Sequence, residues 1–193
     1  MRLIGQKVRD GHYHAWIERD DPRPLGKLGA QQAWSFPSFF SARSNVDRSS
    51  VSSLACGQRV VSVANFDRGS GRANVSSSQG PTRDGRPKPD IAALGTNVVA
   101  AKGFAPANEP WIAMTGTSMA SPYVTGVAGL MLSVNPRLTA AQLNGILRRN
   151  ATPLSGTTYE WQNDIGFGVI DAPASVLEAA SFDEYTNVSK KVQ

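Results

Sequence analysis

Up to about residue 110, hydrophobic positions come in short bursts separated by polar, glycine and proline residues. "YHAWIER" (13–19) reads as a short strand, and "WSFPSFF" (34–40) as an aromatic cluster around a proline turn. "DDPRPLGKLG" (20–29), interrupted by Pro and Gly, reads as loop. "QRVVSVANF" (58–66) has the β-branched density of a buried strand, and "NVVAA" (97–101) predicts another. Between them "SSSQGPTRDGRPKPDIAALG" (76–95), rich in Ser, Gly and Pro, predicts a long ordered loop.

The pattern then changes: from Trp111 to Pro136 there is no charged residue. A helix is predicted from Thr117 or Ser118 to about Val134. Its apolar residues, Ala120, Val124, Val127, Ala128, Leu130, Met131, Leu132 and Val134, surround it, which implies burial on all sides. Gly126 and Gly129 would let a neighbouring backbone come close. A second helix opens with a capping box, Thr139 and Gln142, buries Leu143, Ile146 and Leu147, and ends on Arg148 and Arg149 at its negative pole. A third starts after Asp171, with Pro173 in its first turn and Val176, Leu177 and Ala180 facing in. The tail from Ser181 reads as frayed.

Composition narrows the class. A chain of 193 residues, 40% hydrophobic and 18% charged, suits one globular domain, and 18 Gly with 12 Pro suit many turns. The uncharged run carries Thr115, Thr117, Ser118, Ser121, Pro122, Tyr123 and Thr125, whereas a membrane span needs about 20 predominantly apolar residues. A core helix with a special start is the reading, and no membrane partner is expected. The net charge of +5 invites a nucleic-acid reading, but the basic residues are scattered among acids, as in "RDGRPKPD" (83–90), so no nucleic-acid partner is expected. A single cysteine, Cys56, excludes an internal disulfide and leaves the compartment open. "MRLIGQKVRDGHYH" (1–14) has no apolar leader core, so no signal peptide is read there.

The special start is the chemical question. Thr117 or Ser118 could be simply an N-cap. A nucleophilic serine needs more: an exposed hydroxyl, a base, and backbone N–H groups aimed at a developing oxyanion. The first turn of a helix supplies such N–H groups at the positive end of its dipole. The small neighbours Gly116 and Ala120 leave room for a substrate backbone.

"GTSMASP" followed by "VTGVAGLML" resembles the nucleophile motif of the subtilisin-like serine proteases, the subtilases. "SSSQGPTRDGRPKPDIAALGTNVVAA" resembles their loop and strand upstream of the serine. "VVSVANF" is similar to their Val-Ile-x-Val-Gly-Ala strand, and "GFGVIDAPASVLEA" (166–179) to their C-terminal Gly-x-Gly-x-x-Asp-Ala segment. The resemblance spans about residues 51–180. It implies an α/β fold, the C-terminal half of a subtilisin-like doubly wound parallel-sheet domain. Residues 1–50 then form a β/loop-rich, insertion-like segment and 181–193 a tail. By this resemblance Ser118 is the nucleophile and its N–H an oxyanion donor, while Gly116, Thr117 and Met119 shape the site. Met119 becomes an oxidation-sensitive position if exposed. A peptide or protein is the substrate, and no cofactor or metal is implied.

Other parts of the family pattern are absent. Its triad runs Asp, His, Ser along the chain. Here Asp10-Gly11, Asp67-Arg68-Gly69 and Asp84-Gly85 fail the aspartate motif, and the histidine motif is missing. His12 and His14, in "GHYHAW", are the only histidines; they could be a base or a metal half-site, and are more simply surface residues. Neither Asn45 nor Asn65 has the context of the oxyanion asparagine. Leu94 in "AALG" (92–95) stands where the family has the proline of Ala-Pro-Gly. The expectation is a serine endopeptidase fragment, inactive alone, whose aspartate and histidine come from a missing N-terminal catalytic half. The alternative is a non-enzymatic pseudo-protease that binds peptides or another protease.

Overall fold

The structure is a computed structural model that describes residues 48–154 and 158–182, together with the backbone of 23–28 and 31–35. The chain divides into two compact units, Met1–Asn45 and Val46–Gln193.

The described part of the first unit is a hairpin. β1 (Arg23–Leu28) pairs antiparallel with β2 (Gln31–Ser35), with a register shift between Pro24 and Gly26. The loop expected over 20–29 is thus largely strand. Proline and glycine are compatible with a strand when it lies at an edge or carries a bulge, and Gly26, at φ +112°, sits beside the shift. Trp34 and Ser35 belong to β2. Residues 36–40, the strand expected over 13–19, and His12, His14 and Asn45 lie outside the described residues.

The second unit is built on a parallel pair. β3 (Val63–Asp67) runs alongside β5 (Ile91–Leu94), from Val63 opposite Ile91 to Phe66 opposite Leu94. β4 (Arg72–Ala73) folds back antiparallel on β3, giving the order β4-β3-β5. The far side of β5 is engaged by residues 168–170: Ala92 N–H donates to Gly168 O and Ile170 N–H to Ala92 O, both at 2.8 Å. β5 is buried on both faces. Ile91 and Ala93 belong to the core shared with the helices, whereas Ala92 packs with Ala64 and Ile165 on the other side. The long loop expected over 76–95 therefore ends at Asp90. The stretch "IAAL" has little strand propensity of its own, and pairing on both sides makes it a strand. β3 begins only at Val63, because Val60 lies in a turn and is exposed.

Residues 76–90 are ordered by hydrogen bonds and by one buried charge cluster. Gly80 N–H donates to Asn163 O at 2.7 Å and Thr82 N–H to Arg86 O at 2.9 Å. Fully buried Asp90 accepts from Ser62 N–H at 2.6 Å and from Lys88 Nζ at 2.6 Å. Its other oxygen accepts from Arg148 and, at 3.4 Å, from Asn144 Nδ2. Lys88 is itself buried, so neither charge is left unpaired.

α1 (Thr117–Val134) buries Ala120, Val124, Val127 and Met131, one stripe at helical spacing. Tyr123, Leu130, Leu132 and Val134 are exposed, so the helix is buried on one side rather than all round. A Cβ added at Gly126 or Gly129 would meet nothing within 4 Å, so the close backbone approach expected there is absent from the described residues. α2 (Ala140–Arg149) has the predicted capping box in both directions; it buries Ile146 and Leu147, with Leu143 partly covered. α3 (Ala172–Ser181) is capped by Asp171, whose carboxylate accepts from Ala174 N–H at 2.9 Å. Its inward residues are Ser175 and Ala179 with Val176 at their edge, whereas Leu177 and Ala180 face outward. Ser175 fits inside because its hydroxyl donates to Asp171 O at 2.6 Å. Asn135 Nδ2 donates to Ala179 O and Phe182 O, tying the end of α1 to that of α3. No helix among the described residues is long and apolar enough to cross a membrane.

Candidate active site

The chain reaches α1 from a second hairpin, β6 (Val98–Ala101) with β7 (Trp111–Met114), which follows β5 after one turn. Two contacts close its base. Asn97 N–H donates to Thr115 Oγ1 at 2.9 Å, and Gly116 N–H donates to Gly95 O at 2.8 Å. The second joins the end of β5 to the residue before α1. It allows no side chain at position 95: a Cβ there would lie 2.6 Å from Gly116 O and 2.7 Å from Asn65 Oδ1.

Gly116 is the N-cap of α1, in extended conformation, and no side chain caps the helix. Its carbonyl accepts from Met119 N–H at 3.0 Å and Ala120 N–H at 3.3 Å. Thr117 and Ser118 occupy the first turn, so the N-cap alternative for these two does not hold. Ser118 is exposed, and among the described residues neither its hydroxyl nor its N–H has a hydrogen-bond partner. Pro122, inside the helix, removes the N–H that would bond to Ser118 O. Met119 is half-buried, its Sδ 3.8 Å from where a Cβ of Gly116 would be.

The turn thus brings together the four residues singled out from sequence, Gly116, Thr117, Ser118 and Met119. It presents a free hydroxyl and free backbone donors at the positive end of an 18-residue helix. Among the described residues no carboxylate or imidazole bonds to Ser118, and Asp90 is sequestered in its own cluster. The displaced titrations lie elsewhere. The Thr82 hydroxyl, then Arg86, holds the Asp84 carboxyl below its ordinary value, and burial raises Tyr159. Among the described residues no group of three or more His, Cys, Asp or Glu could hold a metal ion.

Residues behind the turn escaped the sequence reading. Asn65, fully buried in the middle of β3, accepts from Thr96 Oγ1 at 3.1 Å, and Thr96 Oγ1 accepts from Asn74 Nδ2 at 3.1 Å. The only sequence signal was an asparagine inside an apolar strand pattern.

A parallel strand pair flanked on both sides and delivering the chain to a serine-bearing helix is an α/β architecture. The profile of the Subtilase family matches residues 29–168, well over half of the chain, and the chain belongs to that family. The match begins upstream of residue 51. The chain is 27% identical over 196 aligned positions to the serine protease AprX of Bacillus subtilis, covering 91% of this chain and 42% of AprX. It is 32% identical over 136 positions to the halolysin-like extracellular serine protease Nep of Natrialba magadii, covering 70% of this chain and 22% of Nep. Among solved structures, the CspB protease of Clostridium perfringens superposes with a TM-score of 0.60 at 21% identity, over 79% of this chain and 32% of that one. The chain spans less than half the length of these relatives.

Proposed function

We propose that the chain is the serine-bearing part of a subtilisin-like endopeptidase, with Ser118 as nucleophile, and that it is inactive alone. The observation that carries this reading is the exposed, unbonded hydroxyl of Ser118 in an uncapped first turn beside free backbone N–H groups. In the complete enzyme Ser118 Oγ attacks the scissile carbonyl of an extended peptide. A histidine takes the proton and returns it to the leaving amine, and water releases the acyl group. The Ser118 N–H donates to the oxyanion, with Gly116 giving the substrate room and Met119 flooring the turn.

The base, its aspartate and the second oxyanion donor come from polypeptide other than the serine-bearing unit. Their absence is decisive in magnitude. Losing triad members costs subtilisin about a millionfold in turnover, and one oxyanion donor costs on the order of a hundred- to a thousandfold. The apolar face of α1 that no described residue covers supports the same reading, since it is where a further layer of an α/β domain would pack.

Co-expression with a polypeptide carrying the family's aspartate and histidine motifs tests it. Peptidase activity should appear in the mixture and vanish with Ser118→Ala. Activity that survives Ser118→Ala would assign the nucleophile elsewhere.

A further inference from the structure

We infer that Asn65 is a positioning residue for Ser118, fixing Gly95 and through it the Gly95–Gly116 hydrogen bond, a restraint that the family's proline at position 94 would otherwise supply. Four observations converge. Asn65 is fully buried in the middle of β3, where a polar side chain needs a reason. Its carboxamide packs against Gly95 so closely that position 95 cannot carry a Cβ. It accepts from the hydroxyl of Thr96, the residue after Gly95, and Thr96 is held in turn by Asn74. The backbone of Asn65 is also fixed, its N–H donating to Ser77 Oγ at 3.0 Å and its carbonyl accepting from Asn74 N–H at 2.8 Å.

The string Asn74–Thr96–Asn65 thus grips the chain on one side of Gly95, and Gly95 O holds Gly116 N–H on the other. Gly116 O then anchors Met119 and Ala120, so the orientation of the Ser118 N–H follows from the placement of Gly95. Leu94 leaves its own φ free, where proline would fix it near −65°. The side-chain string supplies the missing restraint. Its cost is visible in Asn65 Nδ2, which is buried without a hydrogen-bond partner. Such a group persists where its placement serves something else.

The geometry does not depend on the catalytic reading; only its consequence for turnover does. The test is therefore structural and uses the 193-residue chain. Amide resonances and hydrogen exchange of Gly116, Thr117 and Ser118 are compared in the wild type, Asn65→Ala, and the double variant Asn65→Ala with Leu94→Pro. Leu138→Ala, a buried site in the α1–α2 connection, controls for general loss of stability. Asn65→Ala should shift all three resonances and speed exchange of the Gly116 amide roughly fivefold, the factor implied by one hydrogen bond's net contribution. Leu94→Pro should restore both. Leu138→Ala should leave them in place. Should Asn65→Ala fail to fold, Thr96→Val removes the hydroxyl at nearly constant volume and is read on the same amides. Unmoved amides in a destabilised Asn65→Ala, or a shift that Leu94→Pro does not reverse, would overturn the inference. A failed co-expression assay would instead sink the nucleophile assignment and leave this result standing.

Discussion

The inner and outer faces of α1 carry the same kind of side chain and meet opposite surroundings. Ala120, Val124, Val127 and Met131 are at most 5% exposed, packed with β5, α2 and α3. Tyr123, Leu130, Leu132 and Val134, on the same helix, are between 40% and 57% exposed. The inner face closes a core with α2 and α3, both capped by side chains, a strand paired on both sides, and a buried cluster in which the Asp90 and Lys88 charges meet. The outer face has the composition of an interior and no cover among the described residues. The serine sits at the start of the helix that divides the two. The inner face explains how the unit can hold its shape, and on the proposed reading the outer face is where a complementing part would pack.

Breaking the inner half should have the largest effect. Asp90→Ala leaves the buried Lys88 ammonium uncompensated and should cost about 3–5 kcal/mol. Urea unfolding should show most of the stability of so small a unit gone. The comparison itself is tested by two neighbouring residues. Met131→Ala, on the inner face, should cost about 2–5 kcal/mol, and Leu130→Ala, on the outer face, within about 0.5 kcal/mol. Equal losses would mean the outer face is already covered. Thr139→Ala removes the N-cap of α2 and should cost about 1 kcal/mol, read as a lowered unfolding midpoint.

The smallest change is the sharpest. Gly129→Ala meets nothing within 4 Å and should stabilise the isolated chain by about 0.5–1 kcal/mol through helix propensity. On the proposed reading, the same methyl should weaken association with a complementing part, measurable as a raised dissociation constant. A neutral effect on association would place the partner on another face.

The legible parts of the sequence were those set by local chemistry. The span of α1, the capping box at Thr139 and Gln142, and the cap at Asp171 are first-turn hydrogen-bond patterns written in adjacent residues. The turn at Gly116–Met119 was legible as a motif. The illegible parts depend on what packs against what. β5 is a strand because β3 and residues 168–170 flank it, although its alanines do not ask for one. β1 tolerates Pro24 and Gly26 through a register shift. The burial of α1 was overestimated because a hydrophobic circumference says what a helix can bury and not what is present to bury it. Leu177 faces outward although it continues the apolar pattern, because the close contacts of α3 pass through the smaller Ser175 and Ala179. Asn65 matches no oxyanion motif, and its contact with Gly95, 30 residues on, arises only in three dimensions.

The most direct measurement of the central claim is the intact mass of the purified chain after treatment with a fluorophosphonate, with Ser118→Ala alongside. An unmodified mass in both samples is predicted, because among the described residues no carboxylate or imidazole bonds to Ser118. A stoichiometric adduct that disappears in Ser118→Ala would show that these 193 residues activate Ser118 by themselves, contradicting the division of labour drawn from the two faces of α1.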